Sequence, residues 1–370
     1  MGVNPAPSTP VLDRLRDQVL MSAASGTALR IRGGDTKSWY GNPVAGQVLD
    51  TREYAGVVAY DPAELVITAC CGTPLAEIES TVAECGQMLP FEPPHFGPDA
   101  TLGGCVVAGL AGPRRAYAGA IRDFVLGVTV MNGRGEIMRF GGQVMKNVAG
   151  YDVARLMAGS LGTLGLVLEV SLRLLPVAVT TRSLRFVMDE NQAIETLNHW
   201  AGKAIPMSAS AWHEGELMLR LSGSHAGVEA AVAQLGGDFV ADDTAQAYWH
   251  ALREHTHAFF TSQTQDEYGA ALWRVAVPPT TPALALEGAQ WLEWGGGQRW
   301  WRTHEPATEI RRIADLAGGH ATLFRHAVDA EEGVCAFSSL PGPMATLQRR
   351  LKAVFDPSGI FNPHRIDPRC

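Results

Sequence analysis

The sequence lacks the features that mark several common classes of protein. No apolar run approaches the roughly 18 residues of a membrane-spanning helix, and the first residues, MGVNPAPSTP, show neither the charged nor the apolar segment of a secretory leader. The six cysteines show no CxxC spacing, which argues against a zinc ribbon or an iron–sulfur ligand set. No lysine and arginine cluster exceeds a dipeptide in a chain of net charge −8, so a nucleic-acid-binding surface is not indicated. We expect a cytoplasmic protein with reduced thiols and no metal site.

Two common nucleotide-binding motifs are also missing. The GxGxxG fingerprint of dinucleotide-binding Rossmann folds and the GxxxxGK[ST] phosphate-binding loop occur nowhere in the chain. A bound nucleotide would therefore need loops of another kind.

What the sequence has in abundance is glycine. The chain has 370 residues, of which 46% are hydrophobic, 18% are charged and 40 are glycine, and this length and composition predict a globular protein of about two domains. The glycines are dense between Gly97 and Gly165, where they interrupt strand-like apolar runs. Because glycine permits positive φ and close approach of the backbone to a ligand, this density indicates either ligand-binding loops or a turn-rich β fold.

The first 176 residues predict a mixture of helices and strands. Helical spacing of apolar residues before Gly26 predicts a helix over 11–24. Thr73 and Pro74 are typical of a helix start, with Thr73 as the cap. The NGRG turn at 132–135 predicts a hairpin between the flanking strands. Further strands are predicted over 28–32, 47–50, 56–60, 65–70 and within 161–176.

A second domain is predicted from Val177 onward. The glycine density falls there, and eight of the nine tryptophans lie at or beyond Trp200. Helices over 191–203 and 226–235 alternate with strands such as LMLRLSG.

Two glycine-rich loops are the strongest candidates for chemistry. They are RGGDTKSWYG (32–41), which follows a predicted strand, and GPDATLGGCVVAGLAG (97–112), whose TLGG predicts the start of a short helix. Consecutive N–H groups with few obstructing side chains form an anion-binding nest, and a helix N-terminus adds to it. Together they could hold a pyrophosphate without many lysines.

The order of the motifs resembles a known family. RGGDTKSWYG, TLGGCVVAG, RRAYAGAIRDFVLGVTVMNGRGEI and KNVAGYDVARLMAGSLGTLGLVLEV are similar to the vanillyl-alcohol oxidase type (PCMH) FAD-binding domain, and LKAVFDPSGIFNPHRI (351–366) resembles the family's terminal signature, with His364 where glycine is usual. LWRVAVP and WLEWGGGQRWW resemble the FAD-binding subunits of glycolate oxidases. The resemblance implies an α+β fold with a two-subdomain PCMH-type FAD-binding domain over 1–176, an α+β cap domain over 177–342, and a segment over 343–370 that returns to the first domain.

The resemblance also assigns cofactor-binding residues. The implied cofactor is FAD, and Asp35 stands where covalently flavinylated relatives tend to carry histidine, so we expect non-covalent FAD. Lys146 and Asn147 lie in a loop that the resemblance brings near the cofactor, although a solvated loop explains Lys146 equally well. For residues 159–165 the alternative is a simple turn before a strand. The implied cofactor-binding residues are Arg32, Gly33, Gly34, Asp35, Thr36 and Lys37 in the first loop, Thr101, Leu102, Gly103 and Gly104 in the second, and Arg122, Asp123, Gly159, Gly162, Thr163, Gly165 and Val167 on the flavin or adenine side.

The implied activity is oxidation of glycolate, a 2-hydroxy acid, to glyoxylate. The resemblance implies a complex in which electrons pass to a larger FAD-binding subunit and an iron–sulfur subunit, through which the chain would reach the inner membrane peripherally. Two alternatives remain open: an electron-relay or structural FAD subunit, and a stand-alone sugar or lactone oxidase.

Catalytic residues are the weakest part of the sequence interpretation. The reaction needs a base and a cation for the carboxylate, for which a planar arginine is well suited. Arg274 and Arg299 are the candidates for that cation, and an arginine on the outer face of a strand is the alternative for each. The segment 248–260 contains three histidines, His250, His255 and His257. On a strand, His255 and His257 would share a face and could form a base or a metal cluster. The pattern over 248–260 favours a helix instead, with surface or packed histidines. No catalytic base is identified.

Overall fold

The chain divides into two compact units. The computed structural model describes residues 9–142, 152–261, 270–326 and 333–367. Unit 1 contains 1–110, 120–177 and 339–370, and unit 2 contains 111–119 and 178–338. The sequence-based division keeps 111–119 in the first domain, whereas its contacts group it with unit 2.

Both units contain helices and strands. From the first described residue to residue 176 they are α1 (Thr9–Ser25), β1 (Leu29–Arg32), β2 (Gln47–Asp50), β3 (Val57–Asp61), β4 (Val66–Cys70), α2 (Leu75–Ala83), β5 (Gln87–Met88), α3 (Leu102–Ala108), α4 (Arg115–Ala118), α5 (Ile121–Phe124), β6 (Val125–Met131), β7 (Ile137–Gly141), α6 (Val153–Met157), β8 (Leu166–Arg173) and β9 (Leu175–Pro176). They continue as β10 (Thr180–Val187), α7 (Glu190–Ala201), β11 (Met207–His213), β12 (Glu216–Gly223), α8 (His225–Leu235), β13 (Asp238–Val240), α9 (Asp242–Glu254), α10 (Ala258–Thr261), β14 (Ala271–Ala276), β15 (Ala289–Glu293), a 3-10 turn (Trp294–Gly296), β16 (Gln298–Thr303), α11 (Ala307–Leu316), β17 (His320–Arg325) and α12 (Gly342–Phe355).

The larger sheet of unit 1 is antiparallel, in the order β3-β4-β8-β6-β7 over the described residues. The predicted hairpin is confirmed, because β6 pairs with β7 across the NGRG turn, where Asn132 Oδ1 accepts from the amides of Arg134 (2.9 Å) and Glu136 (3.0 Å). The central strand β8 is buried along most of its length. Ser171 of this strand is buried, and its hydroxyl pairs with that of Thr68 at 2.8 Å.

The start of α2 differs from the prediction. Pro74 precedes the helix without a side-chain cap, so the predicted capping role of Thr73 is wrong. The Thr73 hydroxyl instead accepts from the Gly56 amide (2.9 Å) and donates to the Gly56 carbonyl (3.2 Å). It therefore joins the start of β3 to the start of α2.

A late segment of the chain, residues 356–367, completes unit 1. The Leu29 amide donates to the Ile360 carbonyl (2.7 Å) and the Asn362 amide donates to the Leu29 carbonyl (2.9 Å), so the late segment lies beside β1. The Asp356 side chain is fully buried and accepts from Lys352 Nζ at 2.6 Å and from the amides of Ile360 (3.1 Å) and Phe361 (2.8 Å). The ion pair between Lys352 and Asp356 fixes the turn after α12, and the residues that follow this turn lie beside β1.

Unit 2 is built on one antiparallel sheet, in the order β13-β10-β12-β11-β15-β16-β14-β17 over the described residues. Apolar residues of α7 and α8, among them Leu197 and Val228, form a core with β12, and Ile310 of α11 packs with Trp273 and Trp301 of the sheet. The helix expected over 248–260 is interrupted, because α9 ends at Glu254 and α10 starts at Ala258.

The stretch 111–119 is tied to the sheet of unit 2 by specific bonds. The Tyr117 hydroxyl donates to Ser210 Oγ at 3.0 Å, and Trp294 Nε1 donates to the Gly112 carbonyl at 3.2 Å. The Arg115 guanidinium lies 4.3 Å from the centre of the Trp294 ring.

The described cysteines are free, and several of them are buried. Cys70, Cys71, Cys85, Cys105 and Cys335 form no disulfide, and Cys370 falls outside the described residues. Burial raises the pKa of the Cys71 and Cys105 thiols to about 12.

None of the described helices is long and apolar enough to cross a bilayer.

The buried Asp356 generates a prediction about stability. The change Asp356→Ala removes the counterion of the Lys352 ammonium, which keeps only the carbonyls of Thr163 and Phe361, and leaves two amides without their acceptor. We therefore expect the free energy of unfolding to fall by about 3–5 kcal/mol, measured by urea denaturation. Asp17→Ala, on the exposed face of α1, is the control and should change that value by less than about 0.5 kcal/mol. Equal effects of the two changes would contradict the structural role of Asp356.

Candidate functional site

One cavity in unit 1 gathers segments that are far apart in sequence. The loop after β1, the start of α3 and the late segment all contribute to its wall. The lining residues are Arg30, Ile31, Arg32, Gly33, Gly34, Asp35, Thr36, Lys37, Ser38, Val44, Thr101, Gly104, Val107, Ala108, Leu161, Asn362 and Arg365.

The two predicted loops touch because two positions lack a side chain. A Cβ on Gly34 would lie 1.5 Å from the Asp99 carbonyl oxygen, and a Cβ on Gly33 would lie 2.3 Å from Thr101 Oγ1. No side chain fits at either distance, so only glycine lets the first loop lie on the segment before α3.

The first loop presents backbone donors to the cavity. Within the described residues, the amides of Gly33, Gly34, Asp35 and Thr36 donate to no protein acceptor. Asp35 has φ 60°, a left-handed conformation that lets successive N–H groups converge. Arg32 Nε is buried and has no acceptor among the described residues. Such a set of donors can bind an external anion, and it suits the diphosphate of a dinucleotide.

The charge of the lining also favours an anion. Arg30, Arg32, Lys37 and Arg365 lie on the wall with Asp35 as the carboxylate among them. Arg30 Nη1 lies 3.5 Å from Asp35 Oδ1, and Lys37 Nζ donates to the His95 carbonyl at 2.9 Å.

Behind the wall, Asp50 orients Arg32. Arg32 Nη2 donates to Asp50 Oδ2 at 2.8 Å. Hydrogen bonds from the Arg52 guanidinium, and then from Arg32, hold the pKa of Asp50 well below its usual range. The carboxylate therefore stays ionised at neutral pH and keeps Arg32 in place.

The second predicted loop contributes less than expected. Thr101 caps α3, since its Oγ1 accepts from the Gly104 amide at 3.3 Å, as the TLGG pattern predicts. The Leu102 and Gly103 amides donate instead to the carbonyls of Thr73 (2.9 Å) and Cys71 (2.8 Å). Thr101 and Gly104 thus line the cavity, whereas Leu102 and Gly103 anchor α3 to the preceding strand and helix.

The remaining predicted cofactor residues do not line this cavity. The Asp123 carboxylate accepts from the Ala120 amide at 2.8 Å at the start of α5, and Arg122 beside it is exposed. The Gly159 amide donates to the Val106 carbonyl at 3.1 Å, which places the turn before β8 against α3. Lys146 and Asn147 lie outside the described residues. The other residues that were predicted on the flavin or adenine side also lie outside the lining of this cavity, in the turn before β8 and in β8 itself. They are Gly159, Gly162, Thr163, Gly165 and Val167.

Residues that the sequence interpretation did not assign complete the wall. Asn362 Oδ1 accepts from the Ile31 amide at 2.9 Å, and its Nδ2 donates to the Leu161 carbonyl at 2.7 Å, so one side chain joins β1 to the turn before β8. Asn362 and Arg365 lie within the terminal signature (351–366), but no sequence pattern says which atoms they contact.

In unit 2, the structure gives Arg299 a structural role instead of the predicted role at a substrate carboxylate. Its side chain is fully buried, and its guanidinium donates to the carbonyls of Gly296 (3.2 Å), Pro282 (2.8 Å) and Thr281. Burial lowers the pKa of Arg299, and Glu190, 3.7 Å away, opposes that shift. With its donors engaged, Arg299 holds the loop before β15.

Arg274 and the histidines have different surroundings. Arg274 is half-buried on β14, with its guanidinium 5.8 Å from the centre of the Phe324 ring. His255 is buried and stacked on Phe260 at 4.0 Å, and burial followed by the charge of Arg325 lowers its pKa well below the usual value. It is a packed, neutral histidine. In the described ranges, no group of three or more His, Cys, Asp or Glu residues could hold a metal ion.

Comparisons with known proteins agree with this geometry. The family described as FAD binding domain matches residues 12–141. The glycolate oxidase subunit GlcD of Bacillus subtilis is 32% identical over 163 residues, which cover 44% of this chain and 34% of that protein. The solved structure of alkyldihydroxyacetonephosphate synthase has the same fold, with a TM-score of 0.63 at 14% identity over 96% of this chain and 76% of that one.

A further relative matches nearly the whole chain. The glycolate oxidase subunit GlcE of Escherichia coli K12 is 43% identical over 352 residues, which cover 95% of this chain and 96% of that protein. The chain belongs to the family of the glycolate oxidase subunit GlcE, and it carries an FAD-binding domain of the α+β PCMH type.

Proposed function

We propose that the chain is the FAD-binding subunit of a complex that oxidises glycolate, or a closely related 2-hydroxy acid, to the corresponding 2-oxo acid. The observation that carries the FAD part is the set of free amides from Gly33 to Thr36 in a cavity lined by cationic side chains. The substrate and the complex rest on the 43% identity to the E. coli subunit over nearly the whole chain.

In this proposal, the residues of the cavity have different roles. The amides of the first loop and Arg32 bind the diphosphate, and Thr101 and Gly104 close the opposite wall. Bound FAD supplies the acceptor for two electrons from the substrate. Asp35 supports non-covalent attachment, since a carboxylate cannot form the histidyl bond of covalently flavinylated relatives.

The proposal includes partner subunits, and the names of the glycolate oxidase subunits GlcE and GlcD support it. We propose that electrons leave through a larger FAD-binding glycolate oxidase subunit and an iron–sulfur subunit. The chain is then cytoplasmic and reaches the inner membrane only through these partners. Residues 1–176 and 343–370 would form the FAD-binding domain, and 177–342 the cap domain.

An electron-relay subunit is the second candidate, and one observation favours it. The Arg299 side chain is fully buried, and three of its N–H groups donate to backbone carbonyls. Arg274 is then the remaining predicted arginine for a substrate carboxylate. A chain with no dedicated carboxylate site would leave the substrate step to its partner.

The close approach at Gly34 generates a prediction about cofactor content. Gly34→Ala places a Cβ against the Asp99 carbonyl and pushes the two loops apart, so the purified variant should bind FAD about tenfold more weakly or worse, as measured by flavin fluorescence. Gly342→Ala, where no atom lies within 4 Å of the new Cβ, is the matched control. Wild-type affinity in Gly34→Ala would exclude the first loop from the site.

The identity of residue 35 predicts the mode of attachment. Acid precipitation of the purified chain should leave the flavin in the supernatant, and a denaturing gel should show no fluorescent protein band. A fluorescent band at the mass of this chain would contradict non-covalent binding.

The proposed activity is tested by flavin reduction without oxygen. With glycolate and the larger flavoprotein partner present, the visible flavin absorbance of this chain should bleach. Rapid bleaching of the isolated chain would exclude the relay function, and bleaching only with the partner would exclude a stand-alone oxidase. A chain that binds FAD but bleaches under neither condition would contradict the proposed reaction.

A further inference from the structure

Arg365 connects the late segment to the first loop. Its Nη1 donates to the Asn42 carbonyl at 2.9 Å, and its Nη2 donates to the carbonyls of Ser38 (2.7 Å) and Lys37 (3.3 Å). The guanidinium therefore bridges three carbonyl oxygens of one loop, and it also lies on the cavity wall.

Asn42, in the loop, also donates hydrogen bonds to the late segment. Its amide donates to the Arg365 carbonyl at 3.0 Å, and its Nδ2 donates to the His364 carbonyl at 2.9 Å. We call this reciprocal set of bonds among Asn42, His364 and Arg365 the clasp.

Gly41 makes room for the clasp. It has φ +94°, and a Cβ there would lie 3.1 Å from the Arg365 carbonyl oxygen and 3.2 Å from Arg365 Nε. Gly41, the last glycine of RGGDTKSWYG, is thus required because the late segment lies against it. Gly33 and Gly34 are required because they lie against the segment before α3.

The loop needs support from outside itself. Its cavity-facing amides have no acceptor among the described residues, and its own turn bonds are Ser38 N to Asp35 O (3.3 Å) and Tyr40 N to Lys37 O (3.0 Å). A carbonyl of this loop that turned toward the cavity would repel an anion. Arg365 binds the carbonyls of Lys37, Ser38 and Asn42, which follow the donor amides in the chain, so it holds the part of the loop that continues from Gly33–Thr36.

We propose that Arg365 is a positioning residue for the dinucleotide diphosphate, acting through the loop from Lys37 to Asn42. This inference rests on the proposed FAD binding. Since coupling between two sites is reciprocal, FAD binding also fixes the late segment to the loop. Loss of Arg365 therefore weakens cofactor binding and uncouples the late segment from the cofactor.

The test compares Arg365→Gln and Arg365→Lys in the full chain. FAD affinity is measured on apoprotein by flavin fluorescence, and hydrogen exchange of residues 360–366 is measured with and without FAD. We expect Arg365→Gln to raise the Kd for FAD about tenfold or more, because charge-assisted bonds to three carbonyls are lost. Arg365→Lys should restore part of the affinity, because one ammonium cannot reproduce the guanidinium fork.

Hydrogen exchange separates positioning from a general loss of stability. FAD should slow exchange over 360–366 in the wild-type chain and have little effect there in Arg365→Gln. Arg350→Gln, which removes an exposed guanidinium of α12, is the matched control and should behave as wild type. If Arg365→Gln does not fold, Arg365→Lys and Gly41→Ala take its place in both measurements.

Two results would overturn the inference in distinguishable ways. Wild-type FAD affinity and wild-type FAD-dependent protection in the Arg365 variants would overturn the role of Arg365 while leaving FAD binding intact. A wild-type chain that binds no FAD would overturn the proposed function, and this inference with it.

Discussion

The candidate site depends on a close contact between the loop after β1 and the segment before α3, at two positions where only glycine fits. Gly33 and Gly34 let the loop after β1 lie directly on the segment from Asp99 to Thr101. This contact brings the amides after β1 to the same cavity as the cap of α3. Any side chain at these two positions would separate the walls, and the donors would then face solvent instead of a shared ligand.

The late segment makes the site and the fold of unit 1 parts of one structure. The buried pair of Lys352 and Asp356 sets the turn after α12, and Asn362 then binds both β1 and the turn before β8. Asn362 thus bonds backbone groups that lie 331 and 201 positions away in the sequence. Elements that share hydrogen bonds in this way are expected to unfold together, and ligand binding stabilises them jointly.

The sequence predicted features whose cause is local. The NGRG hairpin and the start of a short helix at TLGG follow from residues adjacent in the chain, because turn and cap preferences act over four or five residues. The family resemblance then supplied the cofactor and the domain type. Features that depend on distant partners were missed or misassigned. The hydroxyl of Thr73 bonds Gly56 instead of capping α2, and Arg299 binds backbone carbonyls instead of facing a ligand. No local pattern distinguishes these outcomes.

The stretch from 111 to 119 has a consequence for the evolution of the chain. It is encoded between two parts of unit 1, yet Tyr117 and Gly112 bond to Ser210 and Trp294 of unit 2. A recombination event that exchanged residues 178–338 as a single cassette would leave this stretch facing an unrelated sheet. Residues 111–119 and 178–338 therefore have to change together, although 120–177 separates them in the sequence.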